Sequence, residues 1–346
     1  MRQVEMSAIL DYVRGHPRCS SKAIHEGLDT GISYATLKRR LAELLNAGSL
    51  STSGQGRGRT FHIGPESMLL FPIDVEQYFK AEIDDREIKT RYDLSLIQDV
   101  LWDVELFTAV EVSTLCELHR TFTKKLTSLS KLELAKEMER LAIDLSWKSA
   151  QIEGNTYTLL ETERLWKDKL TATGRTRDEA SMLLNHKDAL ELLFREPEYL
   201  HPLSVAGIED LHGLLVKDLE VGRNIRRRSV GISGTNYIPL DNEHQIREQL
   251  QLMCELVNVR SSAYERALLA LVLISYIQPF EDGNKRTARI VCNAMLLGSK
   301  HCPISFRTTD PLVYKKGMLL FYEQNNISAM KRIFIEQVEF AIGTYF

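Results

Sequence analysis

The residues best equipped for chemistry lie at 278–289, which read Gln-Pro-Phe-Glu-Asp-Gly-Asn-Lys-Arg-Thr-Ala-Arg. Pro279 stops helical geometry at or before Gln278, so a tight loop must follow. Gly283 permits close backbone approach, and the helix opened by Asn284 offers free N–H groups and a positive dipole end to an anion. Asp282 adds a carboxylate at the mouth of the loop, suited to a divalent cation that bridges phosphates. Arg286 and Arg289 are three apart, so on a helix they project side by side and can clamp successive phosphates. The loop is built for a polyphosphate with a metal.

The elements around it are almost all helical in pattern. The apolar run at 263–277 predicts one helix before the loop, and 284–297 predicts one after it. Further helices are expected at 94–116, 131–147, 159–166, 178–194, 204–215, 243–258, 311–323 and 328–345. Strand signal is scarce: Val230 and Ile232 alternate, Ser233-Gly234 reads as a turn, and Tyr237-Ile238-Pro239 follows, so 229–240 is expected to form a β-hairpin. Pro65 and Pro72 bracket a linker at 64–75 with neither periodicity.

The first 63 residues follow a different plan. Val4, Ala8, Ile9, Tyr12 and Val13 mark one amphipathic helix, 21–26 a second, and Leu37, Leu41, Leu44 and Leu45 a third with Ser33 as N-cap and Gly48 at its end. Short strands at 50–53 and 60–63 then flank a glycine-rich turn. This order resembles a winged helix-turn-helix. The resemblance implies that Tyr34, Lys38, Arg39 and Arg40 face a major groove of double-stranded DNA while Arg57 and Arg59 approach phosphates. A protein-contact or dimerisation module of the same shape is the alternative.

Composition sets the outer bounds. The 346 residues are 44% hydrophobic and 26% charged, which is ordinary for a folded chain of two or three domains. The net charge of −3 conceals nine Lys and Arg against five Asp and Glu in residues 1–63, a balance of +4 that leaves −7 for the rest. Cys19, Cys116, Cys254, Cys292 and Cys302 are scattered, which supports neither a disulfide framework nor a zinc site. No apolar run is long enough to cross a bilayer and none of signal-peptide type opens the chain, so a cytoplasmic protein with no membrane partner is expected.

Pro279-Phe280, Asp282-Gly283-Asn284, Arg286 and Arg289 together closely resemble the signature of the Fic family, in which a His stands where this chain has Gln278. The resemblance covers roughly residue 132 to the C-terminus. It implies a mostly α chain: an all-helical Fic fold with a small β-hairpin flap, joined to the N-terminal α+β winged-helix domain. The expected divisions are a winged helix at 1–63, a linker at 64–75, a helical region with an inhibitory helix at 76–165 and a Fic core at 166–346.

The implied reaction transfers AMP from ATP to a hydroxyl of a target protein. Asp282 would hold Mg2+, Gly283, Asn284 and Lys285 would meet the nucleotide, Arg286 and Arg289 would take its terminal phosphates, and Phe280 would be a buried anchor. Tyr314, Tyr322 and Asn325 fall where relatives line the adenine pocket. Ser149, Glu153 and Gly154 resemble the family's inhibitory motif, whose Glu pairs with the second loop Arg, here Arg289. Ile232, Gly234, Thr235 and Tyr237 lie in the segment that resembles the flap, which adds a strand of the target to its edge.

Glutamine cannot serve as general base, because its amide neither titrates near neutrality nor accepts a proton usefully. Gln278 is then read in three ways: a naturally degenerate site, an engineered substitution that traps an inactive enzyme, or one rescued by another base such as His212 or His244. Lys285 replaces the usual Gly and resembles the Doc branch, which transfers phosphate. The readings that remain open are an impaired, autoinhibited adenylyltransferase, a catalytically silent nucleotide-binding regulator acting on DNA, and a Doc-like phosphotransferase; each is compatible with a homodimer.

Overall fold

Serine caps start the second and third helices of the N-terminal unit in the computed structural model, which describes residues 2–28 and 31–346, excepting the side chains of residues 2–4 and 57. The chain divides into two compact units, Met1–Pro72 and Ile73–Phe346. In the first, α1 (Arg2–Gly15), α2 (Ser21–Gly27) and α3 (Tyr34–Asn46) precede β1 (Leu50–Ser53) and β2 (Thr60–Ile63). Ser20 Oγ accepts from Ala23 N and Ser33 Oγ from Thr36 N, which satisfies amides that the first helical turn leaves free. The strands pair antiparallel with Leu50 opposite Ile63. Ile9, Val13, Ile24, Leu37, Leu41, Leu44, Leu50 and Phe61 form the core beneath them. Val4, expected on that core, has its side chain outside the described residues.

The linker expected at 64–75 is partly helical. Gly64 and Pro65 start α4 (Pro65–Leu70), whose Leu69 is buried, and proline is well suited to a first helical position. A short helix, α5 (Val75–Tyr78), opens the second unit.

The second unit is helical as expected. The helix expected at 94–116 is divided: a π-helical turn (Leu96–Val100) leads into α6 (Leu101–Asp103), and α7 (Ala109–Ser128) starts afresh. The break has a local cause, a capping box in which Thr108 and Glu111 satisfy each other's backbone amides. Leu106 N is meanwhile held by Glu265 Oε1 at 2.9 Å. There follow α8 (Lys131–Ile152), α9 (Leu159–Asp168), α10 (Arg177–Arg195), α11 (Val205–Leu215) and α12 (Glu243–Val259). The unit ends with α13 (Ala263–Ile277), α14 (Asn284–Gly298), α15 (Pro311–Gln324) and α16 (Ser328–Tyr345). The regions expected at 76–165 and 166–346 lie together in this one unit.

Helix α13 is the hub. Every residue of 267–277 is buried, so its neighbours α12, α14, α15 and α16 are positioned by packing on all its faces. The six-residue loop between α13 and α14 therefore emerges from a rigid base.

The β-hairpin expected at 229–240 is not formed. Gly231, Gly234 and Pro239 interrupt the alternation, and the segment runs as an extended loop with one turn. Its one bridge goes elsewhere, with Ile238 N donating to Thr90 O at 2.9 Å beside a parallel Arg91–Ile238 pairing. Among the described residues no helix is long and apolar enough to cross a membrane, and all five cysteines are free thiols.

Candidate functional site

Helix α13 ends because Gln278 turns into the left-handed region, φ 51° and ψ 58°, ahead of Pro279. The side chain is then fixed: Nε2 donates to Ser275 O at 2.6 Å, and Oε1 accepts from Asn284 Nδ2 at 3.0 Å. The expectation that the Asn284 side chain meets phosphate is corrected. Its Oδ1 accepts from Phe280 N and its Nδ2 donates to Phe280 O, both at 2.8 Å, so it clamps the two ends of the loop together.

Phe280 is fully buried, as an anchor should be, and stacks on His212 with centroids 3.6 Å apart. His212, named above as a possible substitute base, is fully buried on α11. Its Nε2 faces Gly222 O and its Nδ1 faces the Thr287 hydroxyl, which fits a neutral ring protonated on Nε2. Burial pushes its pKa down to about 4, so the ring is neutral near pH 7 where it packs from α11 against the loop. His244 is exposed at the start of α12. Gly283 has φ +79°, and a Cβ there would crowd His212 Cε1 at 3.2 Å.

Two guanidiniums are buried at the start of α14. Arg286 reaches Asp282 Oδ2 through Nη2 at 2.8 Å, while its Nε and Nη1 have no hydrogen-bond partner among the described residues. Arg289 is completely buried. Its Nε donates to Ser149 Oγ, its Nη2 to Ser149 O, both at 2.9 Å, and Nη2 also meets Glu153 Oε1 at 2.8 Å. Buried donors left unbonded are costly, so the site is prepared for acceptor oxygens.

Glu153 caps the end of α8, and Gly154, at φ +96°, turns the chain away where a side chain would be strained. Both carboxylate oxygens are engaged, because Lys285 Nζ lies 3.3 Å from Oε2. Burial pushes the Glu153 pKa up, but Arg289 and Lys285 outweigh it and hold the carboxyl below its ordinary value. Behind the pair stands His186, buried on α10. Its Nδ1 faces Met182 O, so its Nε2 is the acceptor for the Ser149 hydroxyl at 2.9 Å. Burial pushes that histidine down to about 3.

The residues expected to line an adenine pocket are closed off. Tyr314 and Tyr322 are fully buried, the first beneath Arg289 and the second stacked near Tyr237. Asn325 caps α15, and its Oδ1 accepts from Lys89 Nζ at 2.8 Å. Tyr237 is not free to hold a target: only 2% exposed, it stacks on Tyr276, to whose carbonyl its hydroxyl donates. Ile232, Gly234 and Thr235 are half-buried.

In the N-terminal unit, Tyr34, Lys38, Arg39 and Arg59 are exposed, with Lys38 over the Tyr34 ring. Arg40 is corrected: it is buried between Glu5 at 2.9 Å and Glu43 at 3.1 Å and cannot face a groove. The Arg57 side chain lies outside the described residues.

Residues 202–296 match the Fic/DOC family. The chain carries a Fic/DOC family domain. The Fic match contains the whole loop 278–289 but not Glu153 or Tyr314. Protein adenylyltransferase fic-1 of Caenorhabditis briggsae is 26% identical over 165 residues, covering 46% of this chain and 32% of the relative. Protein adenylyltransferase Fic of Nematostella vectensis is 27% identical over 175 residues, covering 47% and 39%. The matches thus span less than half the length of these curated relatives. Among solved structures, Fic-1 (aa134 - 508) from C. elegans superposes with a TM-score of 0.60 at 21% identity, covering 68% of this chain and 72% of the other. A Fic domain containing signaling protein from Bacteroides thetaiotaomicron gives 0.56 at 20%, covering 67% and 96%. These likenesses establish the fold.

Sequence reasoning did not find His186 or Arg226 as parts of the Fic site. His186 looks like any polar residue on an amphipathic helix. Arg226 sits in a run of three arginines with nothing to single it out, yet it donates through Nε to Gln278 O at 2.6 Å and through its backbone N to Pro279 O at 2.9 Å.

Proposed function

We propose that this protein is an adenylyltransferase by descent, which binds ATP, is held off by Glu153, and has lost most of its turnover because Gln278 stands at the base position. The observation that carries the reading is the pair of buried arginines at the N-terminus of α14: among the described residues Nε and Nη1 of Arg286 and Nη1 of Arg289 have no hydrogen-bond partner, and Arg289 is held by a carboxylate. A guanidinium that binds a carboxylate also binds a phosphate, so Glu153 and the terminal phosphates of ATP compete for Arg289. Arg286 and the first amides of α14 supply the remaining donors.

Asp282 fits a magnesium ion as an exposed loop carboxylate, like its neighbour Glu281, with one oxygen paired to Arg286 and the other free for a metal, since such an ion is commonly held by one or two carboxylates together with substrate phosphates. The bound ion would neutralise phosphate charge.

In the transfer the target hydroxyl oxygen bonds to the α-phosphorus, pyrophosphate leaves, and the hydroxyl proton needs an acceptor. Gln278 offers none, and both of its polar side-chain atoms are already bonded, to Ser275 of α13 and Asn284 of α14. Loss of a general base costs about 10² to 10⁴ in rate. Lys285 is engaged by Glu153 and therefore gives no preference for phosphoryl transfer. Residues 229–240 are proposed as the target-docking segment.

A second reading, in which the N-terminal unit binds double-stranded DNA and the Fic unit senses nucleotide, is favoured by one observation. Lys38 and Arg39 both stand exposed on α3.

Incubation with ATP labelled at the α or the γ phosphate tests the first reading. A chain carrying Gln278→His and Glu153→Gly should incorporate the α label into protein. Absence of α label from that variant, in its own chain and in lysate proteins alike, would refute it.

A further inference from the structure

Residues 234–238 do not stand free. The same chain's residues 84–91 run beside them, with Asn236 Nδ2 donating to Asp84 Oδ1 at 2.9 Å and Arg86 Nη2 to Gly234 O at 2.7 Å. Ile238 N donates to Thr90 O at 2.9 Å in a bridge of strand type. This is how an added strand engages an edge: main-chain hydrogen bonds hold it and particular side chains select it. The selecting side chain is Arg86. It reaches past Gly234 to Glu323 Oε1 at 3.0 Å, and Glu323 is fully buried beneath it, its other oxygen accepting from the Tyr78 hydroxyl at 2.7 Å.

We propose that residues 234–238, together with Glu323, form a docking edge for an extended protein segment that carries an arginine, and that residues 84–91 of this chain occupy the edge until a target displaces them. The inference rests on the reading of residues 229–240 as the target-docking segment, and its test makes no use of catalysis.

Three features support an exchangeable strap. Asp84, Asp85, Glu87, Thr90 and Arg91 are exposed, and Ile238 is 55% exposed although bonded to the strap. The segment is mostly charged and is held by hydrogen bonds and ion pairs more than by apolar packing, which is the character of regions that open locally. Along the strap Lys89 N donates to Glu323 O at 2.8 Å and Gln324 Nε2 to Glu87 O at 2.6 Å, while beyond the edge Tyr92 stacks on Tyr276 and Asp93 N bonds the Tyr276 hydroxyl at 2.9 Å. The contacts beyond the edge provide a hinge. With the strap lifted, Glu323 is uncovered and ready for another arginine, four residues before the carbonyl that would take the place of Thr90 O.

The probe is a fluorescent peptide copying residues 82–93, with a second peptide in which the position of Arg86 is Ala. Two proteins are compared: an Asp84→Ala, Arg86→Gln chain with a loosened strap, and an Arg91→Cys, Ile238→Cys chain in a Cys116→Ser background, whose disulfide ties the strap down. The peptide should bind the loosened chain and the reduced cysteine chain at least about tenfold more tightly than the oxidised one, and the Ala peptide about tenfold more weakly than the Arg peptide. Hydrogen exchange at the Ile238 amide should quicken in the loosened chain. Equal binding to oxidised and reduced chains overturns the proposal, as does a loosened chain whose Ile238 amide exchanges freely yet takes up no peptide. An Ile238 amide no faster than in the parent overturns it too, because the strap is then a fixed part of the fold. Binding of an ATP analogue, measured on the same samples, reports separately on the nucleotide site.

Discussion

Glu153 Oε1 lies 2.8 Å from Nη2 of Arg289, a guanidinium with no solvent exposure at all. The carboxylate arrives from the end of α8 and the arginine from the first turns of α14, so the pair joins two helices across the mouth of the candidate nucleotide site. Removing Glu153 leaves the Arg289 charge buried with only the oxygens of Ser149 to meet it, and removing Arg289 leaves Glu153 with only the partly exposed Lys285.

Lys285 is the outer arm of the same clamp, and its partial exposure weakens it. In the absence of nucleotide, Lys285→Ala should lower unfolding stability by no more than about 1 kcal/mol, whereas Arg289→Ala should cost about 3–5 kcal/mol. A double-mutant cycle with Glu153→Gln in urea denaturation checks the order. A coupling to Lys285 as large as that to Arg289 would contradict it.

His186 and His212 make the second unit acid-sensitive. Burial lowers both, to about 3 and about 4, from an ordinary value of 6.5. The folded state therefore keeps them neutral at pH values where the unfolded chain binds their protons. Stability is full above about pH 6.5 and falls as the pH drops toward 4, by roughly 1 kcal/mol per pH unit for each histidine. Glu153, held low by its cations, adds its own loss as the pH falls through its ordinary value of 4.5. Melting temperatures across pH 4–7 measure the slope, and His186→Gln should flatten it.

The base position gives a kinetic prediction. In a Glu153→Gly background, Gln278→His should raise incorporation of α-labelled ATP by about 10² to 10⁴. An unchanged rate would place the proton acceptor elsewhere.

Much of this was legible because it is local. The apolar run 267–277 needs a helix, Pro279 and Gly283 need a loop, and Thr108 with Glu111 marks a helix start once the box is noticed. The Glu153–Arg289 pair came from a resemblance, since no periodicity brings together residues so far apart in sequence. What misled was long-range pairing. Arg40 on an outward-looking helix is claimed by Glu5 from α1, Asn325 by Lys89, and Tyr237 by an aromatic stack with Tyr276 and Tyr322. The alternation at 229–240 looked like a hairpin, but its partner is residue 90, well over a hundred positions away.

For the N-terminal unit, Arg40→Ala should destabilise by about 1–3 kcal/mol without touching DNA directly, because it leaves Glu5 less compensated. Lys38→Ala with Arg39→Ala should leave stability alone and reduce the salt slope of DNA binding by roughly two. Gel shifts over a salt series decide this, and an unchanged slope would remove α3 as the DNA-facing helix.

The competition for Arg289 is tested most directly by calorimetric titration of ATP with magnesium into the parent chain and its Glu153→Gly variant. Release of the guanidinium should tighten binding by about tenfold or more. Equal or weaker binding by a folded Glu153→Gly chain would contradict the account.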